Sequence, residues 1–219
     1  MNTQDLQPGF EELPEGTFLK NQSGIQLMTT ARVEAFSDAV IAIIMTIMVL
    51  ELRPPHDASL AGLRPLLPVL GSYVLSFIFL GIYWNNHHHL LHAAQEVKGT
   101  VLWANLHLLF WLSLIPFATA WMGENNFTTW PVALYGCLLL LAGIAYTILV
   151  RTLLAERGNT LLADARGSDF KGKISIVGYL VAIPVAFARP RVACLLYAFV
   201  AIMWLIPDRR IERKIPSED

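Results

Sequence analysis

Charge is what this chain has least of. Only 15% of its 219 residues are Asp, Glu, Lys or Arg, against 55% hydrophobic, and the mean hydropathy is +0.50. A soluble domain carries about a quarter charged residues, so the composition indicates a polytopic membrane protein instead. The net charge of -1 argues against a nucleic-acid partner, which would demand a basic surface. Cysteine is equally scarce. Cys137 and Cys194 both lie within apolar runs, which speaks against a disulfide framework and makes them packing residues. Residues 1–28 lack an apolar h-region, contain Pro8 and Pro14, and are acidic around Glu11, Glu12 and Glu15. No cleavable signal peptide is expected there.

What the chain does have is apolar runs of membrane-spanning length, which needs roughly 20 residues. The first covers 32–52 and stops at Arg53-Pro54-Pro55, since proline cannot continue a helix. A second begins around Pro65 to Pro68 and ends near His92. A third covers about 100–122, with Trp103, Trp111 and Trp121 spaced through it. A fourth covers about 130–154, and a polar, basic loop over 155–172 follows. Runs over 174–188 and 192–206 are short, separated by Arg189-Pro190-Arg191. They read as a helical hairpin with Arg189 and Arg191 snorkelling at its tip, in preference to one re-entrant unit. The expected fold is an all-α membrane protein with six transmembrane helices over 29–207, between a tail at 1–28 and a tail at 208–219.

Loop charges orient this arrangement. With the N-terminus inside, the inner loops and tails hold Lys20, Arg32, Lys98, Arg151, Arg157, Arg166, Lys171, Lys173, Arg209, Arg210, Arg213 and Lys214. Only Arg53, Arg64, Arg189 and Arg191 lie on the other side. The positive-inside bias therefore places both termini in the cytoplasm, and a multi-pass protein of the plasma membrane is expected.

The first helix has two different faces. From Ala39 to Leu50 it is apolar except for Thr46, with no Gly or Pro. At about 100° per residue, Ala39, Ile43, Thr46, Ile47 and Leu50 form one stripe. Glu34 and Asp38 point away from it, and acids at the edge of a membrane helix face other protein or a wet cavity. An apolar stripe suits ordinary helix packing as well as a pore lining, and geometry alone leaves both open.

The segment Arg32-x-x-x-Phe36-Ser37-Asp38 resembles the Arg-x-x-x-Phe-Ser-Asp motif of the transmembrane protein 175 family of potassium channels, in its short bacterial form. Tyr83-Trp84-x-x-His87-His88 resembles the family's element at the end of helix two. Asn105-Leu106 with Ser113-Leu114-Ile115-Pro116-Phe117 resembles its third-helix element. The resemblance covers roughly residues 30–120; beyond it, only helix number and hydropathy agree. It implies a homotetramer in the lipid bilayer whose first helices line a central pore for K+, without the Thr-Val-Gly-Tyr-Gly filter of other potassium channels. By position, the pore-lining gate residues are Ile43, Ile47 and Leu50, with Thr46 the selectivity candidate. The resemblance also gives Arg32, Phe36, Ser37, Asp38, Trp84, His87, His88 and Asn105 as a structural network fixing the start of the pore helix.

His88 and His92 stand at i and i+4, a spacing that metal sites use. A closed site needs about four ligands, and His107 is the one further histidine candidate, so neither a metal nor another cofactor is expected. Pro116 should kink the third helix and free a carbonyl that needs a donor. An enzyme is disfavoured by the sparse ligand set. The alternative is a proton-coupled secondary transporter using Asp38 and the histidine cluster as a relay; it predicts an internal repeat, and the two three-helix halves share no motif.

Overall fold

The structure is a computed structural model that describes residues 30–94, 97–156 and 170–205. The two expected tails and most of the basic loop lie outside the described residues. Among the described residues there are helices and no strands. Helix α1, Thr30–Leu50, is 21 residues long, which at 1.5 Å per residue gives about 31 Å, close to the ~30 Å of a bilayer's hydrocarbon core. It ends in a turn in which the Leu52 and Arg53 amides bond the carbonyls of Val49 and Glu51, ahead of the two prolines.

The connection to the next helix is ordered by Asp57. Its carboxylate accepts from the Ser59 amide at 3.0 Å and the Ser59 hydroxyl at 2.8 Å, bonds that hold it below the usual carboxylate range. A 3-10 turn over Leu60–Leu66 then feeds α2, Leu67–His92. With 26 residues, α2 is about 39 Å long, longer than the hydrocarbon core is thick, a difference that tilt or a projecting end accommodates.

The expected third helix is divided in two: α3, Gly99–Ser113, and α4, Ile115–Glu124. Pro116 sits in the first turn of α4, where its missing N–H costs nothing. At the break the Leu114 amide turns to the Trp111 carbonyl at 3.3 Å. The Phe110 carbonyl then loses its regular donor, and the Ser113 hydroxyl supplies one at 2.7 Å. The donor comes from the helix itself, not from a neighbouring one. Helix α5, Thr129–Ala155, follows a tight turn with Asn126 and Phe127 at φ 50° and 57°, closed by the Phe127 amide on the Met122 carbonyl at 3.0 Å.

The last two helices, α6 at Phe170–Ala188 and α7 at Pro190–Leu205, form a hairpin about Arg189, as expected. The Trp204 indole N–H donates to the Ser175 hydroxyl at 2.8 Å, and the Tyr179 and Tyr197 rings lie 6.3 Å apart. These contacts join opposite ends of the two segments and require an antiparallel return. Among the described residues, five helical spans are long and apolar enough to cross a membrane, α3 and α4 together making one of them. The sixth, α7, has 16 residues and reaches about 24 Å.

Packing centres on α5, which lies against α3, α4, α6 and α7, while α1 packs on α2, α3 and α4. Lipid tails are as apolar as leucine, so close fit and internal hydrogen bonds hold such helices together. One example is a hydroxyl chain in the core. Thr119 donates to Ser76 at 2.7 Å, and Ser76 donates to Tyr135 at 3.0 Å. Another is Tyr197, fully buried, whose hydroxyl donates to the Val132 carbonyl at 3.2 Å. It fits because Gly136 leaves room: a Cβ there would overlap the Tyr197 hydroxyl. At Gly143, two turns on, a Cβ would stay 3.7 Å from its nearest neighbour. Gly136→Ala should therefore destabilise the protein by about 1–3 kcal/mol through overpacking, while Gly143→Ala should be neutral or slightly stabilising. Thermal unfolding in detergent compares them, and equal midpoints would contradict this packing.

Candidate ion pathway

Helix α1 sorts its side chains sharply. Val33, Ser37, Ile41, Ile44 and Met48 are buried against the rest of the chain. The opposite stripe is bare: Ile43 is 57%, Ile47 43% and Leu50 76% exposed, and Phe36, Ala39 and Thr46 share that exposure. Ile43 and Ile47 share a surface groove with Pro116 and Phe117 of α4, and within one chain the stripe is otherwise exposed. The expected gate residues Ile43, Ile47 and Leu50 and the selectivity candidate Thr46 thus lie together on one largely exposed face. Thr46 has its hydroxyl proton committed, donating to the Ala42 carbonyl at 2.6 Å with the Ile43 carbonyl at 3.0 Å. Its oxygen lone pairs remain as acceptors, which is the capacity a cation uses.

Polar side chains on the buried face fix this rotation. Ser37 donates to the Val33 carbonyl one turn back at 2.8 Å. The Asn105 amide of α3 donates to the Ser37 oxygen at 2.8 Å, and its carbonyl oxygen meets Nε2 of His87 on α2 at 2.7 Å. With Asn105 so oriented, Nε2 of His87 carries the proton. His87 Nδ1 is buried without a hydrogen-bond partner among the described residues. One amide therefore joins three helices.

A second set lies at the edge, on the same side of α1. The Trp84 indole N–H donates to Asp38 at 3.0 Å, and His88 Nδ1 lies 2.7 Å from Glu34. The pairs are matched by helix geometry: Glu34 and Asp38 are one turn apart on α1, as are Trp84 and His88 on the antiparallel α2. Glu34 is the network member that the motif reading missed, and this i, i+4 matching is the signal that could have found it. His88 also stacks on Trp84 and His92, with centroids 6.1 and 5.9 Å away. Ligand atoms of Glu34, Asp38 and His88 lie within 4.8 Å of one another, which could serve a cation. That use would have to break the Glu34–His88 contact and find further ligands, since about four close a site. His107 is elsewhere, accepting from the Trp111 indole at 2.8 Å.

Arg32 departs from expectation. It is exposed and makes no ion pair or hydrogen bond with the described residues, so it stands apart from the network it was expected to close. Phe36 is likewise 51% exposed and lies on the bare stripe. The acid–aromatic pairs are partly exposed, and the buried part of the network is the neutral Ser37–Asn105–His87 chain. This ranks the consequences of breaking them. Asn105→Leu strands two buried polar groups and should cost about 1–3 kcal/mol for each, whereas Asp38→Asn should cost ~1 kcal/mol or less. Unfolding of both variants in detergent measures the order, and a larger loss from Asp38→Asn would contradict it.

Comparison with known proteins places this geometry. Residues 32–116 match the family described as "Endosomal/lysosomal potassium channel TMEM175". Over 189 residues, 86% of this chain and 98% of the relative, the sequence is 52% identical to "Potassium channel HX13_20290" of Chryseobacterium sp. (strain P1-3). It is 26% identical over 80% of the chain, and 91% of the relative, to "Potassium channel B446_29190" of Streptomyces collinus. The fold is similar, with a TM-score of 0.72 at 24% identity, to the crystal structure of a lysosomal potassium-selective channel TMEM175 homolog from Chamaesiphon minutus, covering 81% of this chain and 96% of that one. The chain belongs to the TMEM175 family.

Proposed function

We propose that this protein is a potassium-selective channel, a homotetramer in the plasma membrane that conducts passively along an axis lined by four copies of α1. The observation that carries the proposal is the exposed stripe of α1, opposite a face that is buried and hydrogen-bonded through Ser37. Relatives of nearly the same length, named as potassium channels, support the choice of ion. Four stripes meeting at an axis cover one another and surround a path. Ile43, Ile47 and Leu50 then form rings spread over about 10 Å at 1.5 Å per residue. Apolar rings oppose ions by dewetting, so conduction requires that they widen or hydrate. Thr46 contributes the stripe's single hydroxyl oxygen. No chemical step is involved, and K+ is the permeant ion, not a bound cofactor.

Both termini face the cytoplasm in this reading, because twelve basic residues flank the spans on that side and four on the other. A cysteine placed at Ser168 should resist an impermeant thiol reagent on intact cells, while one at Asn125 should label. The reverse pattern would invert the topology.

The pore reading is tested by current and reversal potential in planar bilayers. Ile43→Asn or Ile47→Asn should raise K+ current several-fold, since a polar ring wets more easily. Thr46→Val should lower the preference for K+ over Na+ by removing an oxygen from the path. If the stripe were packed against protein instead, an amide there would destabilise by about 1–3 kcal/mol and leave permeation unaltered. Unchanged current and selectivity in well-folded variants would rule the stripe out.

A further inference from the structure

The edge of the α1–α2 contact gathers groups that the proposed pore does not use. Glu34 and Asp38 on α1 and His88 on α2 each bring one oxygen or nitrogen atom within 4.8 Å of the other two. Two carboxylates and an imidazole are a donor set that divalent ions of the Zn2+ type accept. The acids lie one turn apart on α1. The antiparallel α2 brings His88 opposite Glu34, with Nδ1 2.7 Å from a carboxylate oxygen.

Charge, orientation and access all suit a cation there. Carboxylates at the edge of a membrane helix need compensation, yet the side chains bonded to these two are an indole and an imidazole, and Arg32 pairs with neither. The Trp84 N–H holds one Asp38 oxygen at 3.0 Å, and the other oxygen has no hydrogen-bond partner among the described residues. An outer hydrogen bond of this kind orients a ligating carboxylate. The Glu34 and His88 side chains are 20% and 42% exposed, so an ion can enter and keep a water. Three protein ligands and a water make an open four-coordinate site. A metal between Glu34 and His88 takes the place of the proton in their present contact, as ligation by deprotonated groups requires.

We propose that Glu34, Asp38 and His88 bind a divalent transition-metal ion of the Zn2+ type, one per chain, with Trp84 positioning the Asp38 carboxylate. The ion ties the start of α1 to the end of α2. All its protein ligands come from one chain, so the site stands independently of whether α1 lines a pore.

Thermal unfolding of the full chain in detergent, free of any affinity tag, tests this in titrations with Zn2+ and with Mg2+. Zn2+ should raise the unfolding midpoint of the wild type. Mg2+ prefers an octahedral shell of oxygens and should leave it unchanged. Trp84→Phe removes only the outer hydrogen bond and should weaken Zn2+ binding by about ten-fold. Glu34→Gln and His88→Gln remove ligands and should weaken it further. His92→Gln should bind Zn2+ as the wild type does, since His92, one turn from His88, is no part of the site. Glu34→Gln keeps the shape of the side chain, so it carries the test even if Trp84→Phe elutes as misfolded. A wild type that Zn2+ leaves unstabilised, or that Mg2+ stabilises equally, would overturn the proposal. So would undiminished Zn2+ binding in Glu34→Gln, or its loss in His92→Gln, which would assign the metal to the α2 histidines alone.

Discussion

Everything about α1 depends on one requirement: an amide side chain inside a membrane bundle must find partners. Asn105 finds them in the Ser37 oxygen of α1 and the His87 ring of α2. These bonds are individually worth about 1 kcal/mol, but they act at one rotation of α1 alone. Turning the helix by a third would carry Ser37 out of reach and leave an Asn105 N–H buried without its partner, although Ser37 would keep its Val33 carbonyl. The apolar stripe therefore faces outward because the polar residues opposite it face inward. The partly exposed pairs, Asp38 with Trp84 and Glu34 with His88, fasten one end of the same contact. A rigidly oriented helix is what a permeation path needs, since the width of a constriction depends on the angle at which each side chain is presented.

Much of this could be read from residue order. The α1 stripe follows from period alone, and the buried serine and acids follow from the cost of polar groups in lipid. The short runs at 174–188 and 192–206 form a hairpin because a single Arg-Pro-Arg break leaves no other compact return. Arg32 was harder. An arginine beside two acids suggests ion pairing, yet Glu34 and Asp38 lie two and six positions on. At about 100° per residue, that turns them some 200° and 240° away from it. The division of the third span was only partly visible: Pro116 leaves the Leu112 carbonyl without its donor, but does not announce that the Leu114 amide turns to Trp111 and that Ser113 then serves the Phe110 carbonyl. The fit of Tyr197 over Gly136, and the room left beside Gly143, were not legible. They depend on which helices become neighbours, and nothing local to those glycines distinguishes the two.

Thr46 shows how local bonding limits a functional role. Its proton is spent within the helix, so it can offer only lone pairs to the exposed face. That suits a cation and would serve poorly for an anion. The bilayer and the neighbouring subunits in the proposed tetramer compete for the remaining apolar surface of the bundle. Trp103, Phe110 and Phe117 on α3 and α4 are exposed like the α1 stripe, and Ser113 lies exposed among them with its hydroxyl donating to the Phe110 carbonyl.

The central claim is that the bare face of α1, and not its packed face, surrounds the permeating ion. Single cysteines placed along α1, with Cys137 and Cys194 replaced by serine, test it through block of K+ current by a small cationic thiol reagent. Block at positions 47 and 50, with none at 44 and 48, is the predicted pattern. Block at 44 and 48 with positions 47 and 50 silent would contradict the account.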